Sequence, residues 1–320
     1  MSGTAPREAR APAALEKFTD PVWTTKGERR AVVPFDGLDT LWFNTGTLCN
    51  IACTNCYIKS SPKNDALVYL TRAEVRTFLD EAQAAPRCPR EIAFTGGEPF
   101  MNPDIMGMLE DSLAAGFAVL VLTNAMKPMQ HHQDDLLAVN RRYRGQLSLR
   151  VSIDHYEASL HEQVRGARTW EPGIAGLIWL AANGFDVALA GRKLWPETDA
   201  ELRAGYANVF AGLGIAIDTN DPARLVLFPE MDDAAEVPEI SHGCWKILHK
   251  SPASMMCANS RMIVKRKGEA EPVVVSCTLL PCDARFEMGR TLSEAARPVT
   301  LNHRHCASFC VLGGASCSAK

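Results

Sequence analysis

Cys49, Cys53 and Cys56 lie in the run Cys49-Asn-Ile-Ala-Cys53-Thr-Asn-Cys56-Tyr57. This C-x3-C-x2-C spacing supplies three thiolates to one metal cluster and leaves the fourth position without a nearby ligand. A fully ligated four-iron cluster takes four cysteines. With three, one iron stays open to a substrate or cofactor, as an open position does on a catalytic metal. Further along, Thr95-Gly96-Gly97-Glu98-Pro99-Phe100 follows the strand-like stretch Glu91-Ile92-Ala93-Phe94. Paired glycines carry no Cβ and let a backbone approach a ligand closely. A carboxylate just beyond them can accept charge-assisted hydrogen bonds from an ammonium group. Taken alone, the cysteine run also suits part of a zinc site or a group of buried thiols. A structural zinc takes four protein ligands, and the glycine pair at a strand end favours the open cluster.

Together these residues resemble the radical S-adenosylmethionine (SAM) superfamily. The resemblance implies that Cys49, Cys53 and Cys56 hold a four-iron, four-sulfur (4Fe-4S) cluster. It implies that the open iron takes the amino and carboxylate groups of SAM, and that Gly96, Gly97 and Glu98 meet the SAM ammonium. Asn55 departs from the pattern, since many members place an aromatic residue or His there, near the adenine. Val151-Ser152-Ile153-Asp154 and His161-Glu162-Gln163-Val164-Arg165-Gly166 resemble the fourth-strand region of the peptide- and cofactor-maturing branches. For Ser152 and Asp154 this implies contacts to the SAM ribose or carboxylate. For Arg165 it implies a carboxylate partner, which the two-pronged guanidinium suits. Read without the resemblance, Ser152 packs and Asp154 caps a turn.

The elements that must position these residues alternate. Residues 1–37 read as an extension rich in Ala, Pro and charge. Strands are predicted at 41–45, 91–95, 117–123, 147–153, 186–190 and 225–228. Helices fall between them, at 131–142 and 198–213 among others. Thr71-x-x-Glu74 reads as a capping box ahead of Val75, Phe78, Leu79 and Ala82 at helical spacing. Asn102 and Pro103 suit the cap and first position of the next helix. Continuous apolar runs such as Phe117–Thr123 mark strands buried on both faces. Repeated β/α units argue a parallel sheet with crossover helices. The resemblance makes this an α/β partial (β/α)6 TIM-like barrel over residues 38–235, with its ligands at the C-terminal strand ends.

A second cysteine field follows, over residues 241–320. Seven of the eleven cysteines lie there: Cys244, Cys257, Cys277, Cys282, Cys306, Cys310 and Cys317. Clustered cysteines in a reducing compartment ligate metal or do redox chemistry more often than they form disulfides. The region resembles the SPASM and Twitch extensions of radical SAM enzymes, which hold auxiliary iron–sulfur clusters. Cys257…Gly268…Cys277 resembles their opening pattern, Phe286 to Leu292 their link, and Cys306-x3-Cys310-x6-Cys317 their closing group. Eight residues separate Gly268 from Cys277, more than the family norm. The resemblance implies one auxiliary 4Fe-4S cluster with ligands drawn from Cys257, Cys277, Cys282, Cys306, Cys310 and Cys317. Zinc accepts the same thiolates and stays open as an alternative. His303 and His305 could ligate but are read as capping or packing, and Cys244 as a buried thiol.

Composition narrows the function. The chain has 320 residues, of which 47% are apolar, and a net charge of -3. That supports a sizeable core and no overall basic field for nucleic acid. The one dense basic group, Arg261 with Lys265-Arg266-Lys267, reads as a solvated face. No apolar run reaches the roughly 18 residues needed to span a bilayer, and Met1–Arg30 shows no secretory pattern, so the expected location is cytoplasmic. What the resemblance implies is reductive cleavage of SAM to a 5′-deoxyadenosyl radical that abstracts hydrogen from a substrate. The expected substrate is a peptide, protein or peptide-derived cofactor. The alternatives are a small metabolite that is rearranged or dehydrogenated, or an iron–sulfur electron carrier without SAM chemistry. A one-electron reductant such as a flavodoxin or ferredoxin is the expected partner. No residue is assigned as a catalytic acid or base.

Overall fold

Continuous apolar strands alternate with amphipathic helices along most of the chain. A computed structural model describes residues 16–232 and 235–314. The elements run β1 (Val32–Val33), β2 (Thr40–Asn44), α1 (Arg72–Ala84), β3 (Glu91–Thr95), α2 (Ile105–Ala114), β4 (Ala118–Thr123), α3 (Lys127–Gln130), α4 (Gln133–Arg142), β5 (Leu147–Ser152), α5 (Ala158–Arg165), α6 (Trp170–Ala182), β6 (Asp186–Lys193), α7 (Asp199–Gly212) and β7 (Leu225–Pro229). Then follow β8 (Ser260–Val264), β9 (Val273–Val275), β10 (Glu287–Gly289) and β11 (Val299–Thr300). One sheet takes nine strands in the order β10-β9-β8-β2-β3-β4-β5-β6-β7. From β8 to β7 the neighbours are parallel. Its two edge strands differ, so the sheet stays an open partial barrel.

The helices form for local reasons the sequence carries. Thr71 accepts from Glu74 N while the Glu74 carboxylate accepts from Thr71 N, closing the capping box of α1. Val75, Phe78, Leu79 and Ala82 then turn one face of α1 into the core. The start of α2 differs from expectation. Its N-cap residue is Asp104, two residues beyond Asn102. Asn102 is buried instead, and its amide donates to Thr45 O (3.2 Å) and Leu70 O (2.9 Å). It thereby ties the cysteine loop to the approach to α1.

The cysteine-rich region is joined to this sheet. β8 lies parallel to β2 with Thr40 opposite Ser260, and β9 and β10 continue antiparallel. The N-terminal stretch reaches the same region, because β1 pairs with β11, Val32 opposite Thr300. Next to it Arg30 and Glu239 form a buried ion pair at 2.6 Å. The basic group around Arg261 is a solvated face only in part: Lys267 is exposed, while Lys265 and Arg266 are half-buried. Arg261 is fully buried, and the others are each paired: Lys265 with Glu74, Arg266 with Glu287 and Lys267 with Asp65. Among the described residues, no helix is long and apolar enough to cross a membrane.

Candidate active site

β2 ends at Asn44 and opens into the loop that carries Cys49, Cys53 and Cys56. The loop has little regular structure and is held by discrete bonds. Cys49 N donates to Ser61 O (3.1 Å), and Thr54 N donates to Val164 O at the end of α5 (2.8 Å). The Thr47 hydroxyl accepts from Leu67 N (3.1 Å). Gly96 and Gly97 follow β3 and lie directly on this loop. Gly97 N donates to Gly46 O (2.8 Å) and Glu98 N to Leu48 O (3.1 Å). A Cβ on Gly97 would fall 2.1 Å from Leu48 O, and Gly96 sits at a φ of +143°. The close approach these glycines permit is therefore to the backbone that presents Cys49.

The three cysteines, Gly96 and Gly97 line one pocket. Strand ends complete it: Asn124 just after β4, Ser152 closing β5 with Asp154 beyond, Arg192 near the end of β6 and Phe228 in β7. This is the C-terminal face of the parallel strands, where such folds place their ligands. Burial pushes the Cys49 thiol up to about 12 and raises Cys53 as well.

Glu98 behaves differently from the sequence expectation. It is 1% exposed and does not line the pocket. Its carboxylate accepts from the Thr123 hydroxyl (2.9 Å), Asn124 N (2.8 Å) and Phe100 N (3.2 Å). It thus fixes the turn after β4 against the glycine loop, and Asn124 in turn donates to Asn50 Oδ1 beside Cys49 (2.9 Å). Burial outweighs these bonds and lifts the Glu98 carboxyl to about 7. A carboxyl raised on folding keeps a proton that the unfolded chain has lost, so its contribution weakens as pH rises from about 4.5 to about 7. We expect the unfolding midpoint of the cluster-free protein to fall across that window, and to fall less in Glu98→Gln. Equal falls in the two proteins would assign the pH dependence to other groups.

Arg165 and Asp154 form a two-pronged pair, with Nε to Oδ2 at 3.0 Å and Nη2 to Oδ1 at 3.1 Å. Burial alone would raise Asp154, but the Arg165 and Arg192 charges hold it below the usual carboxylate range. Asp154 is therefore an ion-pair partner rather than a turn cap. Arg192 extends the network. Its Nη2 donates to Asn55 O (2.9 Å), and its guanidinium lies 3.9 Å from Asp154 and 3.5 Å from Glu230. Asn55 Nδ2 donates to Glu230 (3.1 Å), which ties the cysteine loop to the ends of β6 and β7. Sequence reasoning missed Asn124, Arg192, Phe228 and Glu230. The available signal was their position at predicted strand ends.

A second cavity lies under the cysteine-rich region, lined by Cys257, Cys277, Cys306 and Cys310 among apolar side chains. Cys257 precedes β8 and Cys277 follows β9. Cys306 and Cys310 sit four residues apart on a widened helical turn, shown by the bond from Gly313 N to Ser308 O (2.9 Å). His305 lines the cavity too. His303 Nδ1 accepts from His305 N (3.1 Å), a capping role. Cys282 is not part of this group. Leu279 and Leu280 fill the cavity wall, and the turn closed by Asp283 N to Leu280 O carries Cys282 outward to an exposed position. Cys282 interacts electrostatically with Arg266 and Cys56 instead. Cys317 lies outside the described residues. Cys244 is half-buried, its sulfur accepting from Ser241 N at 3.4 Å. Among the described residues, no three His, Cys, Asp or Glu side chains are gathered tightly enough for a single metal ion.

The family model of the Radical SAM superfamily matches residues 43–204, half of the chain, from β2 to α7. The chain belongs to that superfamily. Over 137 residues it is 27% identical to mycofactocin maturase MftC of Mycobacterium tuberculosis (strain CDC 1551 / Oshkosh), covering 43% of this chain and 33% of that protein. Over 138 residues it is 29% identical to an AdoMet-dependent heme synthase of Methanosarcina barkeri, covering 43% and 37%. The chain thus spans about a third of the length of the curated relatives it matches. The fold resembles that of Streptococcus suis SuiB bound to S-adenosylmethionine, with a TM-score of 0.58, 10% identity, and coverage of 79% of this chain and 63% of that one. Against SuiB bound to its precursor peptide SuiA the TM-score is 0.55 at 12% identity, covering 79% and 62%.

Superfamily membership implies a 4Fe-4S cluster and SAM, and the pocket's donor set fits both. Cys49, Cys53 and Cys56 line one space, and beside them stands an ion-pair network of Arg165 and Arg192 with Asp154 and Glu230. Arg165 commits Nε and one Nη2 hydrogen to Asp154, which leaves three of its five N–H donors for a bound carboxylate.

Proposed function

We propose that this chain is a radical SAM enzyme that cleaves SAM reductively and abstracts hydrogen from a peptide or protein substrate. The observation that carries the reading is the meeting of Cys49, Cys53 and Cys56 with the Gly96-Gly97 loop and the Arg165–Asp154 pair in one pocket at the strand ends. Cys49, Cys53 and Cys56 would hold the cluster. Gly96, Gly97 and Ser152 would flank SAM, and Arg165 would meet its carboxylate through donors not engaged by Asp154. When bound, the cluster and SAM supply the hydrogen-abstracting chemistry. The protein's part is to orient and to exclude water. Glu98 positions the wall of the pocket through Thr123 and Asn124.

A second cluster at Cys257, Cys277, Cys306 and Cys310 is part of the same proposal. Four thiols in one cavity complete the ligand set of a closed four-iron site, as the resemblance to SPASM and Twitch extensions implies. The peptide substrate draws support from the likeness to a maturase and from a structural neighbour that binds a precursor peptide. A one-electron donor such as a ferredoxin or flavodoxin would serve as the partner.

The test is anaerobic reconstitution with iron and sulfide, then assay of 5′-deoxyadenosine with SAM and a reductant. Wild type is compared with the Cys49/Cys53/Cys56 triple Ala variant. We expect deoxyadenosine to vanish in the variant and iron to fall from about eight to about four per chain. Full iron loading without any deoxyadenosine, even with candidate peptides present, would favour an electron carrier.

A further inference from the structure

Arg261 is a buried cation with no anionic partner among the described residues. It lies on β8, 1% exposed. Its donors reach four backbone carbonyls: Nε to Ala295 O (3.0 Å), Nη1 to Cys257 O and Ser260 O (both 2.7 Å) and Nη2 to Arg297 O (2.8 Å). The guanidinium stacks 4.4 Å from the centre of the Phe35 ring. Among the described residues no Asp or Glu lies within ion-pair distance of it. The buried Arg30 and Arg165, by contrast, each hold a carboxylate. Neutral carbonyls satisfy the hydrogen-bonding needs of a guanidinium but leave its charge uncompensated, and an uncompensated buried charge is expensive.

The groups able to become negative that act on Arg261 are the thiols of Cys257 and Cys277, on the wall of the second cavity, and its Nη1 already bonds the Cys257 carbonyl at 2.7 Å. The other charge acting on Arg261 is Arg297, of the same sign. Iron ligation strips the thiol protons, and a four-iron core on four thiolates is anionic. Only then does Arg261 face a charge opposite to its own. Reduction adds one electron from an external donor, makes or breaks no bond, and leaves the cluster more negative still. A fixed cation bonded to the backbone of a ligand, here Arg261 Nη1 to Cys257 O, favours that state, and nearby charge is among the levers that set iron–sulfur potentials.

We propose that Arg261 is the built-in counter-charge of an auxiliary cluster held by Cys257, Cys277, Cys306 and Cys310, and that it raises the reduction potential of that cluster. This rests on the reading of those four thiols as a cluster site. Arg261 acts through the field it places on the ligands and does not touch the substrate.

The test uses the full chain in the Cys49/Cys53/Cys56 triple Ala background, so that only the second site can hold iron. Redox titration followed by electron paramagnetic resonance gives the potential. We expect Arg261→Gln to lower the reduced-to-oxidised ratio at fixed poise about tenfold, which is 59 mV for a one-electron couple, at unchanged iron content. Arg261→Lys should stay close to the parent. Phe35→Glu, which places a carboxylate against the guanidinium, should lower the ratio in the same direction, while Phe35→Gln should not. The Phe35 pair carries the test if Arg261→Gln does not fold. Loaded iron with an unchanged potential in Arg261→Gln and Phe35→Glu overturns the role of Arg261 and leaves the cluster reading standing. An equal fall in the Lys and Gln variants overturns it as well, by assigning the effect to lost carbonyl bonds. No iron in the triple Ala background overturns the cluster reading and the proposal together.

Discussion

Arg165→Ala is expected to destabilise the cluster-free protein by about 3 kcal/mol and to abolish measurable SAM binding in the reconstituted one. The reason lies in what stays behind. Asp154 is buried and held ionised chiefly by Arg165, with Arg192 further off at 3.9 Å. Removing the guanidinium leaves a carboxylate close to the thiols of Cys53 and Cys49, with which Arg165 also interacts. Breaking a buried pair from one side costs far more than the pair contributes when intact, because the remaining charge is unmet. The pocket admits water, which puts the expected value at the low end of the range for such pairs. Two comparisons separate this account from a packing loss. The double variant Arg165→Ala/Asp154→Asn removes the stranded charge and should recover part of the lost stability. Arg165→Lys should recover little, because a point charge cannot reproduce the two-pronged geometry. Urea unfolding of the cluster-free proteins provides the numbers. The account fails if Arg165→Ala unfolds within about 1 kcal/mol of wild type, or if the double variant is less stable than the single one.

Much of this site is legible in the sequence because its signals are local. The spacing of Cys49, Cys53 and Cys56 needs no tertiary information, and neither does the Thr71–Glu74 capping box. The strand that leads into Gly96 declares itself by its apolar run. Arg165 and Asp154 are eleven residues apart, so their pairing stays within one β/α unit. What was not legible depends on direction. Whether Glu98 points into the pocket or back to the turn after β4 is decided by Thr123 and Asn124, which lie one strand over. Arg192 and Glu230 join the site only because the parallel register brings the ends of β6 and β7 beside the cysteine loop. Cys282 falls inside the cysteine-rich stretch by composition, yet its turn faces away from the cavity. Arg261 belonged by sequence to a basic run whose other members are surface partners of Glu74, Glu287 and Asp65. β8 is buried along its whole length, so Arg261 is inside whichever face of the strand it takes.

Gly97→Ala is the sharper test of how the two motifs depend on each other. The added Cβ would lie 2.1 Å from Leu48 O, 2.5 Å from Leu48 C and 2.8 Å from Thr47 O. All three are backbone atoms, so no side chain can swing aside to relieve the contact. Either the glycine loop lifts from the cysteine loop, breaking the bonds from Gly97 N to Gly46 O and from Glu98 N to Leu48 O, or Leu48 moves. Leu48 precedes Cys49 directly, so its movement displaces the first ligand. Overpacking of this kind costs about 1–3 kcal/mol, and more where the backbone cannot yield. We therefore expect a loss of at least about 2 kcal/mol in unfolding free energy. Iron content after reconstitution should fall towards that of the Cys49/Cys53/Cys56 triple Ala variant. Gly212→Ala is the matching control. It lies at the end of α7 with nothing within 4 Å of its added Cβ. There the same change should be neutral or stabilising by about 0.4–1 kcal/mol, through the unfolded chain. If Gly97→Ala retained wild-type iron and stability, the glycine pair would not be holding the cysteine loop in place. The thiols would then owe their positions to the other anchors of the loop, at Ser61 and Val164 and through Asn55 to Arg192 and Glu230.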